Sequence, residues 1–363
     1  IKQESPSTKL FVQSILPVND VFGKFGGHTS KAEQIKLVNE ELLRHAGKFG
    51  YTFLNLHKIF SDEKGKLKQE LTNDGLHLTG EGYLFWKHLV YADISGLANT
   101  PALLPAPQQL KWTGRVFPLY KCKSIVATSE FLQKEAAMLK ELLSARGLMF
   151  SPDKSEASPF IKMQLGEIAG HEDNDEAYKL TVNSDNILLK ANTTKGIFYA
   201  IQTLKQLMRD NAYINTCEIT DWSAFSWRGY MIDVGRNFQS ISQLKQQIDA
   251  MAAYKLNTFH LHLTEDIAWR LQSKRFPQLK DAKYMLRNPG EFYSLDEMRE
   301  LIAYCKNKYI RLIPEIDMPG HSAAFTRALN VDMQSDSGLV ICKNMIKELI
   351  TELDVDIVHI GGD

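Results

Sequence analysis

The sequence lacks four features, each of which would point to a particular class of protein. Lys plus Arg and Asp plus Glu both number 43, so the formal net charge is zero. Nucleic-acid and membrane-surface binding need a basic surface, so neither partner is expected. There is no run of about 18 apolar residues that could span a membrane, and the N-terminus has no basic-then-apolar signal pattern. No Gly-rich phosphate loop opens the C-terminal segment, which weakens a nucleotide-binding interpretation.

Cysteine is scarce. The four cysteines, Cys122, Cys217, Cys305 and Cys342, lie far apart and have no CxxC or other metal-binding spacing. We therefore expect four buried thiols rather than a disulfide framework, and no cofactor.

What is present indicates an α/β protein of several domains. At 363 residues, with 44% hydrophobic and 24% charged side chains, the chain has a globular composition and a length that favours two or three domains. The segment ANTPALLPAPQQLKWTG is rich in Pro, Ala and Gln, which is typical of a linker. We predict three domains, residues 1–97, 98–222 and 223–363.

The first two predicted domains alternate strands with helices. In the first, KLFVQSILPVND predicts a strand, AEQIKLVNEELLRHAGKFG a helix and YTFLNLHKIF a second strand, an order that indicates an α/β layer. In the second, EAYKLTVNSDNILLKANTTKGIFYAIQTLKQLM predicts two strands joined by NSDN and then a helix. No catalytic side chains concentrate in the second, which is therefore interpreted as structural.

The third domain repeats a strand–helix pattern that is typical of a parallel α/β fold. Its predicted strands are WRGYMIDVGRN, LNTFHLHLTED, YIRLIPEIDMPGH and DIVHIGGD, and ISQLKQQIDAMAAYK and SLDEMRELIAYCKNK are predicted helices. Four strands make half of a (β/α)8 barrel, and a whole barrel needs roughly 250 residues.

Polar residues end all four strands. They are Asp233 and Arg236; His262, Glu265 and Asp266; Glu315, Asp317 and His321; and His359 and Asp363. The active site of a (β/α)8 barrel lies at the carboxyl ends of its strands. Buried carboxylates are costly unless paired, so ion pairs between strands could explain any one residue. A shared polar site explains all four strand ends at once.

A metal site is one interpretation of these residues, because the HxH pair His260 and His262 can ligate zinc. The positively charged Arg236 would then lie beside the metal ion, which is unfavourable. A carboxylate-rich site with an arginine suits a neutral polyhydroxylated ligand such as a sugar. We expect a sugar site without metal, and a metal-dependent barrel hydrolase using His260 and His262 stays as an alternative.

The blocks RGYMIDVGRN, HLHLTEDIAWR, PEIDMPGH and HIGGD resemble, in order, those of glycoside hydrolase family 20, the β-N-acetylhexosaminidases. LLPAPQQL, EAYKLTV, GIFYAIQTL and ITDWSAFSWRG resemble the small α/β domain that precedes the family's barrel. The resemblance covers the chain from about residue 100 onward. It implies a small α+β domain followed by the first half of a TIM barrel, acting on glycans that carry N-acetylglucosamine or N-acetylgalactosamine.

The resemblance also implies a mechanism and roles for the site residues. In family 20 the substrate's own acetamido oxygen replaces the enzyme nucleophile. Asp363 matches the aspartate that orients the acetamido group, and Arg236 the arginine that grips the sugar hydroxyls. His321 and Glu265 match the histidine and acid that support the general acid, although an aspartate is common at the position of Glu265. Asp233 and His262 are expected to bind substrate beside them.

The family's general acid is the glutamate that follows the aspartate matched by Asp363. Because the sequence stops at HIGGD, we expect a fragment that lacks the general acid and is inactive alone. A non-catalytic carbohydrate-binding remnant is the alternative.

In the first domain, NDGLHLTGEGY resembles the Asp-x-x-His block of SGNH (GDSL-type) esterases, with Asp74 and His77 as the matching pair. In that family the histidine activates a serine in a GDS block near the start of the domain, and Ser14 and Ser61 lie in no such block. Residues 1–97 are therefore expected to be the C-terminal part of such a domain, and a His–Asp pair in a surface loop is the other interpretation. Glycan-degrading enzymes like those of family 20 are generally exported, so a periplasmic, cell-surface or secreted location is expected.

Overall fold

The computed structural model describes residues 8–95, 101–148, 159–208 and 213–363. The chain divides into two compact units, Ile1–Asp221 and Trp222–Asp363. The predicted domain boundary between residues 97 and 98 lies outside the described residues.

Eleven strands and ten α-helices form within the described ranges. The strands are β1 (Phe11–Gln13), β2 (Thr52–Leu54), β3 (Gln109–Pro118), β4 (Ser124–Ala127), β5 (Phe160–Leu165), β6 (Tyr178–Val182), β7 (Asn186–Ala191), β8 (Tyr213–Asp221), β9 (Gly229–Asp233), β10 (Thr258–His262) and β11 (Arg311–Glu315). The helices are α1 (Gly26–Thr29), α2 (Ala32–Phe49), α3 (Leu56–Phe60), α4 (Gly80–Ser95), α5 (Gln133–Ser144), α6 (Thr194–Leu207), α7 (Ile241–Ala253), α8 (Leu295–Asn307), α9 (Ala323–Leu329) and α10 (Asp336–Leu353). No helix among them is both long and apolar enough to cross a membrane.

In the first unit, β1, α2 and β2 follow one another in the predicted order, and the two strands pair in parallel. The predicted strand YTFLNLHKIF is wrong beyond Leu54. The side chain of Asn55 accepts a hydrogen bond from the backbone N–H of Lys58, and this N-cap starts α3. The helix then buries Leu56 and Phe60 in the core.

The rest of the first unit is a six-stranded sheet in the order β3-β8-β6-β7-β5-β4. The predicted strands β6 and β7 are confirmed as an antiparallel pair, and α6 follows them. On β8, the ring of Tyr213 stacks on Phe85 of α4 with centroids 4.4 Å apart. The same apolar cluster contains Leu56 and Phe60, so Tyr213 of the sheet packs into the hydrophobic core of the N-terminal α/β layer.

The second unit is a parallel sheet in the order β11-β10-β9. The predicted helices α7 and α8 are confirmed, and each begins with a capping box, Ser240 with Gln243 and Ser294 with Glu297. The fourth predicted strand forms only one parallel bridge, between His359 and Glu315. All four cysteines are free and buried, as predicted.

Candidate active site

Parallel pairing brings the carboxyl ends of three neighbouring strands together in the second unit. His262 at the end of β10 lies in register with Asp233 on one side and with Glu315 on the other. Because parallel strands end at the same edge of a sheet, the segments that follow them meet there too. This edge therefore collects the polar residues of the unit.

The guanidinium of Arg236 bridges two carboxylates at this edge. Its Nη1 lies 2.7 Å from Oδ2 of Asp233 and its Nη2 2.5 Å from Oε1 of Glu265. Burial would lower the pKa of Arg236, but the charges of Glu265 and Asp233 outweigh it and raise the pKa. The arginine is half exposed, so it is anchored on one side and open to a ligand on the other.

His321 lies between Glu265 and Asp363. Its Nδ1 is 3.1 Å from Oε2 of Glu265, which is 2% exposed, and its Nε2 is 3.0 Å from Oδ2 of Asp363, which is 65% exposed. The backbone of His321 has a φ of 47°, a left-handed conformation that non-glycine residues adopt at a cost. A buried carboxylate, an imidazole and an open carboxylate thus form a chain that runs from the core to the surface.

A second carboxylate, Glu315, collects three histidines. Its oxygens lie 2.6 Å from Nε2 of His260, 3.0 Å from Nδ1 of His262 and 3.1 Å from Nδ1 of His359. Burial would raise the pKa of Glu315, but the hydrogen bonds and charges of His260 and His262 hold it well below its usual range. Burial would likewise lower the pKa of His262, whereas its hydrogen bond to Glu315 and that residue's charge raise it.

The turn that carries Asp363 is fixed by Asp317, a buried residue on the segment after β11. Oδ1 of Asp317 accepts a hydrogen bond of 3.3 Å from the backbone N–H of Gly362. Gly361 has a φ of 70°, and a Cβ at that position would lie 1.5 Å from the same Oδ1. Only glycine fits so close an approach, so the two glycines of HIGGD set the position of the following aspartate.

The structure therefore brings six of the sequence-predicted residues to one edge: Asp233, Arg236, His262, Glu265, His321 and Asp363. Asp266 lies near them as well, since Glu265, Asp266 and His321 have possible ligand atoms within 4.8 Å of one another, and its Oδ1 also accepts a hydrogen bond of 3.0 Å from the backbone N–H of Ala323 at the start of α9.

Glu315 and His359, which the sequence placed at strand ends without assigning them a role, complete the histidine cluster. The alternation in IRLIPEID, which places Glu315 and Asp317 on one face of the strand, was the available signal. His260 and His262, the pair in the metal alternative, both face Glu315. His260, Glu315 and His359 have possible ligand atoms within 4.8 Å of one another, an arrangement that the alternative needs but that ion pairing also explains.

In the first unit, Asp74 and His77 form a hydrogen-bonded pair. Oδ2 of Asp74 lies 2.8 Å from Nδ1 of His77. Backbone N–H groups of His77 and Leu76 donate to the other oxygen of Asp74, and these bonds, with that from the His77 ring, hold the pKa of Asp74 well below its usual range. Oγ of Ser14 accepts a hydrogen bond from the backbone N–H of His57, and Oγ of Ser61 donates to the backbone carbonyl of His57, so neither bond is to His77.

The second unit has a polar cluster at the carboxyl ends of parallel strands, the place where (β/α)8-barrel enzymes carry their active sites. Comparison with protein-family models identifies the family to which this unit and the preceding segment are similar. Residues 225–337 match "Glycosyl hydrolase family 20, catalytic domain", and residues 100–222 match "Glycosyl hydrolase family 20, domain 2". Over these two segments, the chain belongs to glycoside hydrolase family 20.

Individual relatives agree with the family models. A β-hexosaminidase of Vibrio furnissii is 34% identical over 249 residues, which are 64% of this chain and 40% of the relative. A β-N-acetylhexosaminidase structure from Streptomyces coelicolor superposes with a TM-score of 0.65 at 26% identity, over 72% of this chain and 59% of that one. An exo-β-N-acetylglucosaminidase structure from Vibrio harveyi, in complex with N-acetylglucosamine, gives 0.62 at 26% identity, over 72% and 46%. Such structures indicate the TIM-barrel α/β fold for the second unit. The chain spans only 31%, 40% and 47% of three curated relatives.

Proposed function

We propose that this chain supplies the sugar-binding and acetamido-orienting residues of a β-N-acetylhexosaminidase. The observation that carries the proposal is the chain of contacts from Glu265 through His321 to Asp363. It ends in the exposed carboxylate of Asp363, and the other oxygen of Glu265 contacts the half-exposed Arg236. An open carboxylate and an open guanidinium held by one residue suit a ligand with both hydroxyl groups and an amide N–H. Residues 223–363 would be the first four βα units of the barrel.

In the mechanism that we propose, the acetamido oxygen of the substrate attacks the anomeric carbon as the bond to the leaving oxygen breaks. The leaving oxygen takes a proton from a general acid, which the family motif places directly after Asp363. Water then attacks the anomeric carbon and breaks its bond to the acetamido oxygen, which opens the oxazolinium ring, and the proton that water loses returns to the general acid. Asp363 accepts a hydrogen bond from the acetamido N–H, which holds the attacking group in place and stabilises the positive charge on the ring. Arg236 binds sugar hydroxyls.

N-acetylglucosamine is the sugar to test first. A related Vibrio harveyi enzyme was solved with it, and a Streptomyces plicatus β-hexosaminidase with it as product. N-acetylgalactosamine is the second sugar that we propose. Export from the cell is also proposed, and cell fractionation with an antibody against the chain tests it.

The experiment measures binding and turnover on the same samples. Calorimetry follows binding of a thiazoline analogue of the oxazolinium ring, and an aryl N-acetyl-β-glucosaminide reports turnover. We expect Asp363→Asn to weaken thiazoline binding on the order of 100-fold, the scale of removing one preorganised electrostatic partner. The matched control is Asp354→Asn, at an exposed aspartate of the same unit, which should bind like the parent. Equal binding by the two variants would contradict the proposal.

We propose a second activity for the first unit, acyl-ester hydrolysis by an SGNH-type domain of which residues 1–97 are the C-terminal part. The specific observation is the 2.8 Å contact from Asp74 Oδ2 to His77 Nδ1, which leaves Nε2 of the exposed ring to face a nucleophile. Acetyl-ester hydrolysis by the natural gene product should fall on the order of 1000-fold in His77→Ala. His45→Ala, at a histidine on α2, is the control. Unchanged hydrolysis in His77→Ala would overturn the proposal.

A further inference from the structure

Arg270 has a fully buried guanidinium that binds backbone carbonyls. It is 0% exposed, and among the ion pairs of the described residues it takes part in none. Its donors instead reach five carbonyl oxygens: Val234 at 3.1 Å, Gly235 at 3.3 Å, Arg287 at 2.9 Å, Asn288 at 3.0 Å and Glu291 at 2.9 Å. The guanidinium therefore joins two chain segments, 234–235 and 287–291.

Such an arrangement is costly unless the geometry is good, because a buried charge loses its hydration. Burial lowers the pKa of Arg270. Five charge-assisted hydrogen bonds offset the loss of water, and the planar guanidinium holds its acceptors in a fixed arrangement that a lysine cannot reproduce. The side chain thus fixes the relative position of the two segments.

One of those segments leads directly into the candidate site. Val234 and Gly235 immediately precede Arg236, and a Cβ on Gly235 would lie 2.8 Å from Cγ of Glu265. The other segment reaches the same turn, because Nη1 of Arg287 donates to the carbonyl of Arg236 at 3.2 Å. The backbone of Arg236 is therefore held through Arg270 on one side and through Arg287 on the other.

We propose that Arg270 is a positioning residue that sets the turn at Arg236 and so holds the Arg236 guanidinium between Asp233 and Glu265. The contacts of Arg270 are independent of the proposed function. The expected effect of Arg270 on sugar binding rests on that proposed function. Because Arg270 is fully buried, its effect on sugar binding passes through Arg236.

The test uses the whole 363-residue chain and a spectroscopic signal that needs no sugar, the nitrogen NMR resonances of the Arg236 guanidinium, assigned with Arg236→Lys. In the parent, these should show slow solvent exchange because two carboxylates hold the group. In Arg270→Lys we expect fast exchange, and thiazoline affinity lower by on the order of 10-fold to 100-fold, as for a small misplacement of a binding group. Methylguanidinium added to Arg270→Ala should restore both.

The matched control is Arg228→Lys, at an arginine in the same unit that also donates to backbone carbonyls, those of Lys255 and Phe225. It should leave the Arg236 resonances unchanged. Unchanged resonances in a folded Arg270→Lys would overturn the proposal. If Arg270→Lys does not fold, Arg270→Gln, which keeps part of the donor set, is measured in the same way, and unchanged Arg236 resonances in that folded variant would overturn the proposal. If neither the parent nor any variant binds the thiazoline, the proposed function is wrong. The Arg236 resonances would still test the role of Arg270.

Discussion

Nδ1 of His321 lies 3.1 Å from Oε2 of Glu265. The other oxygen of that carboxylate lies 2.5 Å from the guanidinium of Arg236, so one buried carboxylate serves two groups of the candidate site. Glu265 thereby links Arg236, the proposed sugar-binding residue, to the histidine that contacts Asp363.

Shortening Glu265 should separate these two groups. In Glu265→Asp the carboxylate is one methylene shorter and cannot reach both Arg236 and His321 from the same backbone position. We expect thiazoline binding to fall about 10-fold, since a site contact worth about 1.4 kcal/mol is lost. Calorimetry measures it, and Glu300→Asp, at an exposed glutamate on α8 paired with Lys245, is the control. Equal affinities for both variants would show that Glu265 does not bridge the two groups.

The histidine cluster predicts a stability maximum in mildly acidic solution. The pKa of Glu315 is lowered in the folded state, so its contribution is present above its unfolded pKa of about 4.3 and is lost as the pH falls through the folded value. The pKa of His262 is raised, so its contribution is complete below about pH 6.5 and is lost as the pH rises through the folded value. Both contributions are present between about pH 4.5 and 6.5.

Urea unfolding at a series of pH values tests this, with Glu315→Gln as the variant. We expect it to lower the free energy of unfolding by about 3 kcal/mol inside that window, as for a broken buried ion pair, and to flatten the dependence on both sides. Glu300→Gln should keep the parent's profile. An unaltered alkaline decline in Glu315→Gln would show that His262 does not depend on this carboxylate.

The strand ends could be predicted from the sequence because the pattern that marks them, alternating apolar and polar residues followed by polar ones, lies within a few neighbouring residues. In β10, apolar Phe259 and Leu261 alternate with His260 and His262, and the polar residues follow at the carboxyl end. The helices α7 and α8 were equally readable, since their capping boxes use residues three apart in the chain.

What the sequence could not show depends on contacts between distant residues. Arg270 is the clearest case, because an arginine after a strand is usually an exposed side chain or half of an ion pair. Its carbonyl partners near residues 234 and 288 exist only once the chain has folded. The prediction that the strand continues after Leu54 was wrong for a local reason. The N-cap formed by Asn55 starts a helix there, although the apolar run is also compatible with a strand.

Gly361 should tolerate no side chain. In Gly361→Ala the new Cβ would lie 1.5 Å from Oδ1 of Asp317 at a φ of 70°, so Asp317 must move and release Gly362. Gly362 is the matched control, because it also has a positive φ, 123°, but nothing lies within 4 Å of its Cβ position.

We expect Gly362→Ala to cost about 1–3 kcal/mol of folding stability through backbone strain alone. Gly361→Ala should cost more and should also weaken thiazoline binding, measured by urea unfolding and calorimetry. A smaller loss in Gly361→Ala than in Gly362→Ala would contradict the proposed role of Asp317.

The Asp74–His77 pair should fix the tautomer of the histidine. Because Oδ2 of Asp74 lies 2.8 Å from Nδ1 of His77, the neutral ring should carry its proton on Nδ1 and leave Nε2 as an acceptor, the form that a general base needs. Long-range proton–nitrogen NMR on the 363-residue chain distinguishes the two tautomers directly. In Asp74→Asn, either an amide or a carbonyl can face Nδ1, and we expect a mixture of tautomers. His45, which lies on α2 and whose Nε2 is 3.4 Å from Glu41, supplies the control signal in the same spectrum and should not change. If the parent already shows the Nε2-protonated form of His77, the pair is not poised to activate a nucleophile, and the esterase proposal fails at its one structural support.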